Sequence, residues 1–76
     1  MKELVEFLAT SLVDQPDEVQ VRSYDRGDST VLELEVAPED LGKVIGRQGR
    51  TARAMRTIIA AAGQKSRRRY TLDIVD

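Results

Sequence analysis

Apolar and polar positions divide the chain into six segments of alternating period. Leu4, Val5, Leu8 and Leu12 recur at the i, i+4 spacing of an amphipathic helix, with Phe7 widening the stripe. Pro16 disfavours helical geometry in the residue before it, so this helix ends ahead of it. Val19, Val21 and Ser23 then alternate with Gln20, Arg22 and Tyr24, the pattern of a half-buried strand. In Val31–Val36, Leu32, Leu34 and Val36 take one face and Glu33 and Glu35 the other. Asp25-Arg26-Gly27-Asp28 joins the two strands as a hairpin, because Gly27 can supply the positive φ that a tight reversal requires.

Pro38-Glu39-Asp40 suits the opening of a helix, with proline in the first turn and two acids at the positive end of the dipole. A short helix over Leu41–Ile45 is stopped by Gly46. A longer one over Arg50–Ala62 stacks Ala52, Met55, Ile59 and Ala62 on one side, with Ile58 beside them and Gly63 as its predicted stop. After a basic loop at Gln64–Arg69, Tyr70, Leu72 and Ile74 alternate with Thr71, Asp73 and Val75 as a last strand. The order is αββααβ. A helical crossover between the second and third strands makes that pair parallel. The predicted fold class is α+β: a three-stranded mixed sheet covered on one face by three helices, in a single domain over residues 1–76 with a βααβ core from about residue 30.

Composition narrows the chemistry. The 76 residues include no cysteine and no histidine, which removes disulfides, thiolate or imidazole metal sites and histidine-based catalytic triads. The serines have no base to activate them, and the glycines match neither a Walker A loop nor a dinucleotide fingerprint. The sequence therefore predicts no enzyme, no metal, no cofactor and no small-molecule substrate. A chain of this size buries only ~60–65% of its unfolded surface, so pairing with another chain is favourable. The longest apolar run, Ile58–Ala62, is far short of the ~18 residues that span a bilayer. Glu3 and Glu6 in the first turns do not suit a secretory signal, and a cytoplasmic protein is expected.

The net charge of −1 conceals a polarised chain. Residues 1–40 carry three bases against eleven acids, a balance of −8, whereas residues 41–76 carry nine bases against two acids, a balance of +7. The bases cluster at Lys43–Arg56 and Lys65–Arg69, which points either to an anionic partner for the second half or to attraction between the halves.

Gly46-Arg47-Gln48-Gly49 lies between the two predicted helices. Two glycines three apart allow a sharp turn and close approach of another backbone. The free N–H groups and positive dipole end of the following helix face the same turn, and Arg47 and Arg50 add charge there, so the parts describe a phosphate cradle. Lys43 and Arg50 flank the loop and add field, and Arg53 and Arg56 could extend the basic edge beyond it. Gly42, unfavourable in a helix by ~1 kcal/mol against alanine, suggests close approach of a backbone or a nucleotide. Val44 fits the core. Arg53 and Arg56 could instead pair with the acidic half. Arg67-Arg68-Arg69 reads as a solvated loop, with direct contact to an anionic partner as the alternative.

On these residues the chain resembles the K-homology (KH) family of RNA-binding domains. Val31–Val36, Leu41–Ile45, the Gly46–Gly49 loop, Arg50–Ala62 and Tyr70–Val75 match its strand, two helices with Gly-x-x-Gly between them, and strand. The preceding Leu4–Leu12 helix and Val19–Tyr24 strand match the type II arrangement. Ala52 departs from the bulky aliphatic that the family places three residues after the loop; Met55 fits the position three further on. Over its whole length, and in the stretch Val36–Gly46 and the Ile-Val-Asp ending, the chain resembles the small stand-alone bacterial KH proteins, the KhpA family. The resemblance implies cytoplasmic RNA chaperones that form homodimers, pair with a larger KH-domain protein and influence cell elongation and envelope growth. It implies single-stranded RNA contact through Gly46, Arg47, Gln48 and Gly49, aided by Gly42, Lys43, Val44, Arg50 and Arg53. Two other readings fit the residues: a dimerisation module of KH shape with little RNA binding, and binding of single-stranded DNA through the same backbone contacts. Tyr24 and Tyr70 are too few to predict base stacking of the kind seen on aromatic-rich sheets.

Overall fold

The computed structural model describes all 76 residues and has the expected element order. Helix α1 (Lys2–Leu12) leads through a 3-10 turn at Pro16–Glu18 into strands β1 (Gln20–Arg26) and β2 (Ser29–Glu35). A second 3-10 turn at Pro38–Asp40 precedes α2 (Leu41–Ile45); the loop Arg47–Gly49 then leads to α3 (Arg50–Lys65) and β3 (Arg69–Ile74). The sheet order is β1-β2-β3, antiparallel in the first pair and parallel in the second. A two-residue hairpin turn joins Arg26 to Ser29, with Gly27 at φ +60°.

The alternation along β2 is realised in full. Thr30, Leu32 and Leu34 are buried and Ser29, Val31, Glu33 and Glu35 are not. Leu32 and Leu34 pack with Val5 and Ala9 of α1, Val44 of α2, and Met55 and Ile59 of α3 in one core on a single face of the sheet. In α1 the buried stripe is Val5 and Ala9, and Phe7 is 67% exposed. Phe7 does not widen the stripe, because at 100° per residue it stands nearly opposite both buried positions. The helices cover only part of the inner face. Ser23 and Asp25, on the core side by register with Leu32 and Thr30, stay exposed, so the hairpin projects beyond them.

Gly63 is not the helix stop. The helix continues to Lys65 with Gly63 buried inside it. The stop is a Schellman motif four residues further on: Arg67 takes φ +55° and donates to Gln64 O at 3.2 Å, and Arg68 donates to Gly63 O at 3.1 Å. Gly63 serves packing instead. A Cβ there would stand 2.7 Å from Arg68 O and 2.8 Å from Tyr70 Cδ2, so only glycine lets the chain fold back into β3 this closely. Arg68, expected in a solvated loop, is a clamp: its guanidinium donates to Asp25 Oδ1 at 3.0 Å, to Ser29 O at 3.2 Å and to Thr30 Oγ1.

Asp40 is the one acid of the interior, 1% exposed. It accepts from Gln15 N–H at 3.0 Å and faces Lys43 Nζ at 3.5 Å. Burial pushes its carboxyl up, but backbone N–H groups of Gln15 and Asp14, with the Lys43 ammonium, outweigh it and hold the group below the usual carboxylate value. A depressed folded value stabilises the fold above the usual ~3.9 and loses that contribution as pH falls through it toward the lower folded value. Asp40→Asn is therefore expected to lower the melting temperature at neutral pH and to flatten its fall on acidification. Melting curves from neutral to acidic pH would show this; parallel curves for both proteins would assign the acid limb elsewhere.

Candidate nucleic-acid interface

The loop between α2 and α3 has a backbone that its sequence dictates. Gly46 takes φ +77° and ψ 171°, a region that only glycine occupies readily. Its missing Cβ matters as well, since that atom would stand 2.7 Å from Thr51 Cβ and 2.8 Å from Thr51 N. Gln48 (φ +57°, ψ 26°) and Gly49 (φ +74°, ψ 14°) are both left-handed. Two successive left-handed residues, one of them not glycine, store about 1–2 kcal/mol of strain in an exposed loop.

This path decides which amides are available. Gly46 N–H donates to Gly42 O at 2.8 Å, Gly49 N–H to Gly46 O at 3.1 Å, and Arg50 N–H to Arg47 O. The glycine amides, expected to hold an anion, are thus engaged within the protein. The amides of Arg47 and Gln48 donate to no acceptor in the chain, and both residues are exposed. They form the open pair at the N-terminal end of α3, and the glycines supply the conformation that presents them.

The side chains around the loop separate into free and engaged charges. Arg47, Arg50, Arg53 and Arg56 have no carboxylate within ion-pair distance, whereas Arg22, Lys43 and Arg68 each have at least one. Arg50, Arg53 and Arg56 follow one flank of α3, and Arg56 Nε reaches Leu72 O on β3 at 3.3 Å. The α3 arginines therefore do not pair with the acidic half of this chain, and Arg56 among them lies against β3. Lys43 behaves differently. Its ammonium lies 2.7 Å from Asp14 Oδ2 and 3.5 Å from Asp40 Oδ1, and hydrogen bonding to Asp14 raises its pKa above the usual lysine value. No spacing rule could show this, because Asp14 and Lys43 are 29 residues apart.

Gly42 is exposed, and a Cβ there would meet nothing within 4 Å, so no backbone packs against it and the surface over α2 is open. Val44 is 0% exposed and belongs to the core cluster. It has no surface to line a groove and leaves the candidate set. Of the candidate positions, Gly42, Arg47, Gln48, Arg50 and Arg53 are exposed, Gly46 and Gly49 frame the loop, Lys43 is held by carboxylates and Arg56 is engaged at β3.

The sequence profile described as "KhpA/KhpB, KH domain" matches residues 2–74. A protein named RNA-binding protein KhpA from Halalkalibacterium halodurans is 55% identical over 76 residues, covering all of both chains. The protein of that name from Clostridium acetobutylicum is 56% identical over 75 residues, 99% of this chain and 100% of its own. Its counterpart in Borreliella burgdorferi is 50% identical over 74 residues, 97% of this chain and 90% of its own. No solved structure matches the chain.

Proposed function

The chain belongs to the KhpA/KhpB family of KH-domain proteins, and from that premise we propose that it grips short single-stranded RNA through the Gly46–Gly49 loop and acts as an RNA chaperone in the cytoplasm. The observation that carries this reading is the open amide pair of Arg47 and Gln48, at the start of a helix and flanked by arginines without carboxylate partners. A phosphate seated there accepts from both amides and from the Arg47 guanidinium, and the flanking strand runs past Arg50 and Arg53 toward Arg56. Backbone contacts of this kind hold about four nucleotides with little sequence preference. No helix of the fold is long and apolar enough to cross a membrane.

One domain with a single loop binds weakly, and pairing two domains raises avidity without new contacts. Homodimerisation fits the outer face of α3, where Ile58 is 43% exposed and shares a stripe with Ala54 and Ala61. The same face could receive the KH domain of a larger partner, through which a role in cell elongation and envelope growth would be exerted.

Titration with a short oligonucleotide at several salt concentrations tests the phosphate grip. Log affinity is expected to fall with log salt at about −0.7 per phosphate neutralised. An affinity indifferent to salt would exclude the proposed clamp and favour the reading in which the KH shape serves pairing alone.

Asp14 should restrain this binding. Its carboxylate partly neutralises Lys43, a residue of α2 one turn before the loop. Asp14→Asn is expected to tighten RNA binding and to steepen the salt slope by up to about 0.7, the value of one added phosphate contact. Lys43→Ala in the same background should cancel the gain.

A further inference from the structure

The outer face of the sheet is divided by sign. Across the three strands in register, Arg26, Ser29 and Arg69 form the row nearest the hairpin turn, Tyr24, Val31 and Thr71 the next, and Arg22, Glu33 and Asp73 the third. In the third row Arg22 is already held by Glu33 at 3.3 Å and Glu35 at 3.0 Å, so carboxylates are in surplus there. Arg26 and Arg69 have no carboxylate partner. Asp25 lies on the opposite face and is taken by Arg68, which leaves Asp28 in the turn as the one unengaged acid at this end. Tyr24 stands between the two ends, 48% exposed. A hollow of about 390 Å³ lined by Ala60 and Gln64 of α3 and by Arg69 and Thr71 of β3 joins this face to the arginine flank of α3.

We infer that the basic end of this face is a second contact for single-stranded RNA, with one base stacked on Tyr24 and the adjoining phosphates on Arg69 and Arg26. Tyr24 and Arg26 are two residues apart on one strand, about 7 Å, and Arg26 and Arg69 are two strands apart, about 10 Å, so an aromatic plate lies within side-chain reach of both cations. An aromatic platform beside a cationic track is how single strands are held without sequence preference, and the acidic rows beyond Tyr24 give the strand its end point. The inference rests on the RNA-binding reading and deepens it. The second contact lies at the far end of α3 from the loop, about 24 Å along the helix, so a strand engages both only if it extends beyond the ~four nucleotides at the loop.

Tyrosine fluorescence makes the test direct, since the chain has two tyrosines and no tryptophan. In a Tyr70→Phe background Tyr24 is the sole emitter, and it is titrated with oligoadenylates of about four and about twelve nucleotides, lengths that span the range for single-strand sites. The longer strand is expected to quench Tyr24 and to bind at least about fivefold more tightly than the shorter one. Tyr24→Leu, and separately Arg26→Gln with Arg69→Gln, should remove that gain and leave binding of the short strand unchanged. If Tyr24→Leu lowers the melting temperature, the arginine pair decides. No quenching by the long strand, or a gain that survives both variants, overturns the inference, and survival of the gain is also the result expected if a protein partner covers this face. Aspartates at Arg47 and Gln48 separate the two readings. If they leave the short strand bound while Tyr24 is still quenched by the long one, the loop reading fails and the second contact stands.

Discussion

Replacing Arg47 and Gln48 together by aspartate is expected to abolish binding of short RNA while leaving the melting temperature unchanged or slightly raised. The opposite signs of the two effects come from one location. Both residues are exposed in the turn that leads through Gly49 into α3, where negative charge favours the helix dipole by about 0.3–1 kcal/mol. Aspartate also tolerates the left-handed geometry that Gln48 adopts at φ +57°. The same carboxylates repel a phosphate approaching the open amides and remove a charge-assisted bond worth about 1.5–3 kcal/mol. With repulsion added, the loss should be about a hundredfold or more. Thermal melts and oligonucleotide titrations on one preparation would measure both. Retained affinity with an intact fold would move the binding surface away from the loop.

Gly46→Ala should unfold the domain readily, and Gly49→Ala should cost only about 1 kcal/mol, although the two glycines look equivalent in the motif. Gly46 combines a backbone region costly for any side chain, about 1–3 kcal/mol, with a Cβ placed 2.7 Å from Thr51 Cβ and 2.8 Å from Thr51 N. Overpacking adds about 1–3 kcal/mol. A domain of this length has about 4–11 kcal/mol of stability in all, so the melting temperature should fall by at least about 10 °C. At Gly49 nothing lies within 4 Å of an added Cβ. Its left-handed φ of +74° costs alanine about 1–2 kcal/mol, part of which is offset by the lower entropy of the unfolded chain. Equal melting temperatures for the two variants would show that the loop relaxes around Thr51. The contrast also governs how binding data are read: weak binding by Gly46→Ala reports loss of the fold, and weak binding by Gly49→Ala reports loss of the loop's geometry.

The six main elements and the turn between α2 and α3 were legible along the chain because each follows from neighbours a few residues apart. The alternation of Leu32, Leu34 and Val36 against Glu33 and Glu35 marks a strand with one buried face, and Gly46 ends α2 at the residue where the periodicity stops. The glycine at the other end of α3 misled for the same reason. A Gly after an apolar run looks like a stop wherever it occurs, and only the return of β3 against the helix shows that Gly63 is needed for contact with Arg68 O.

What the sequence determined alone is the αββααβ order of elements and the place of the loop, since dihedral preference and hydrophobic period act locally. Tertiary structure decided which charges and donors remain free. Lys43 is quieted by Asp14 from 29 positions away, Arg68 is drawn into a clamp on Asp25 and Thr30, Val44 disappears into the core, and the open amides are those of Arg47 and Gln48 rather than of the glycines. Ion pairing and hydrogen-bond saturation depend on distances that are set only when the elements pack, so the composition of the site could be read in advance and its availability could not.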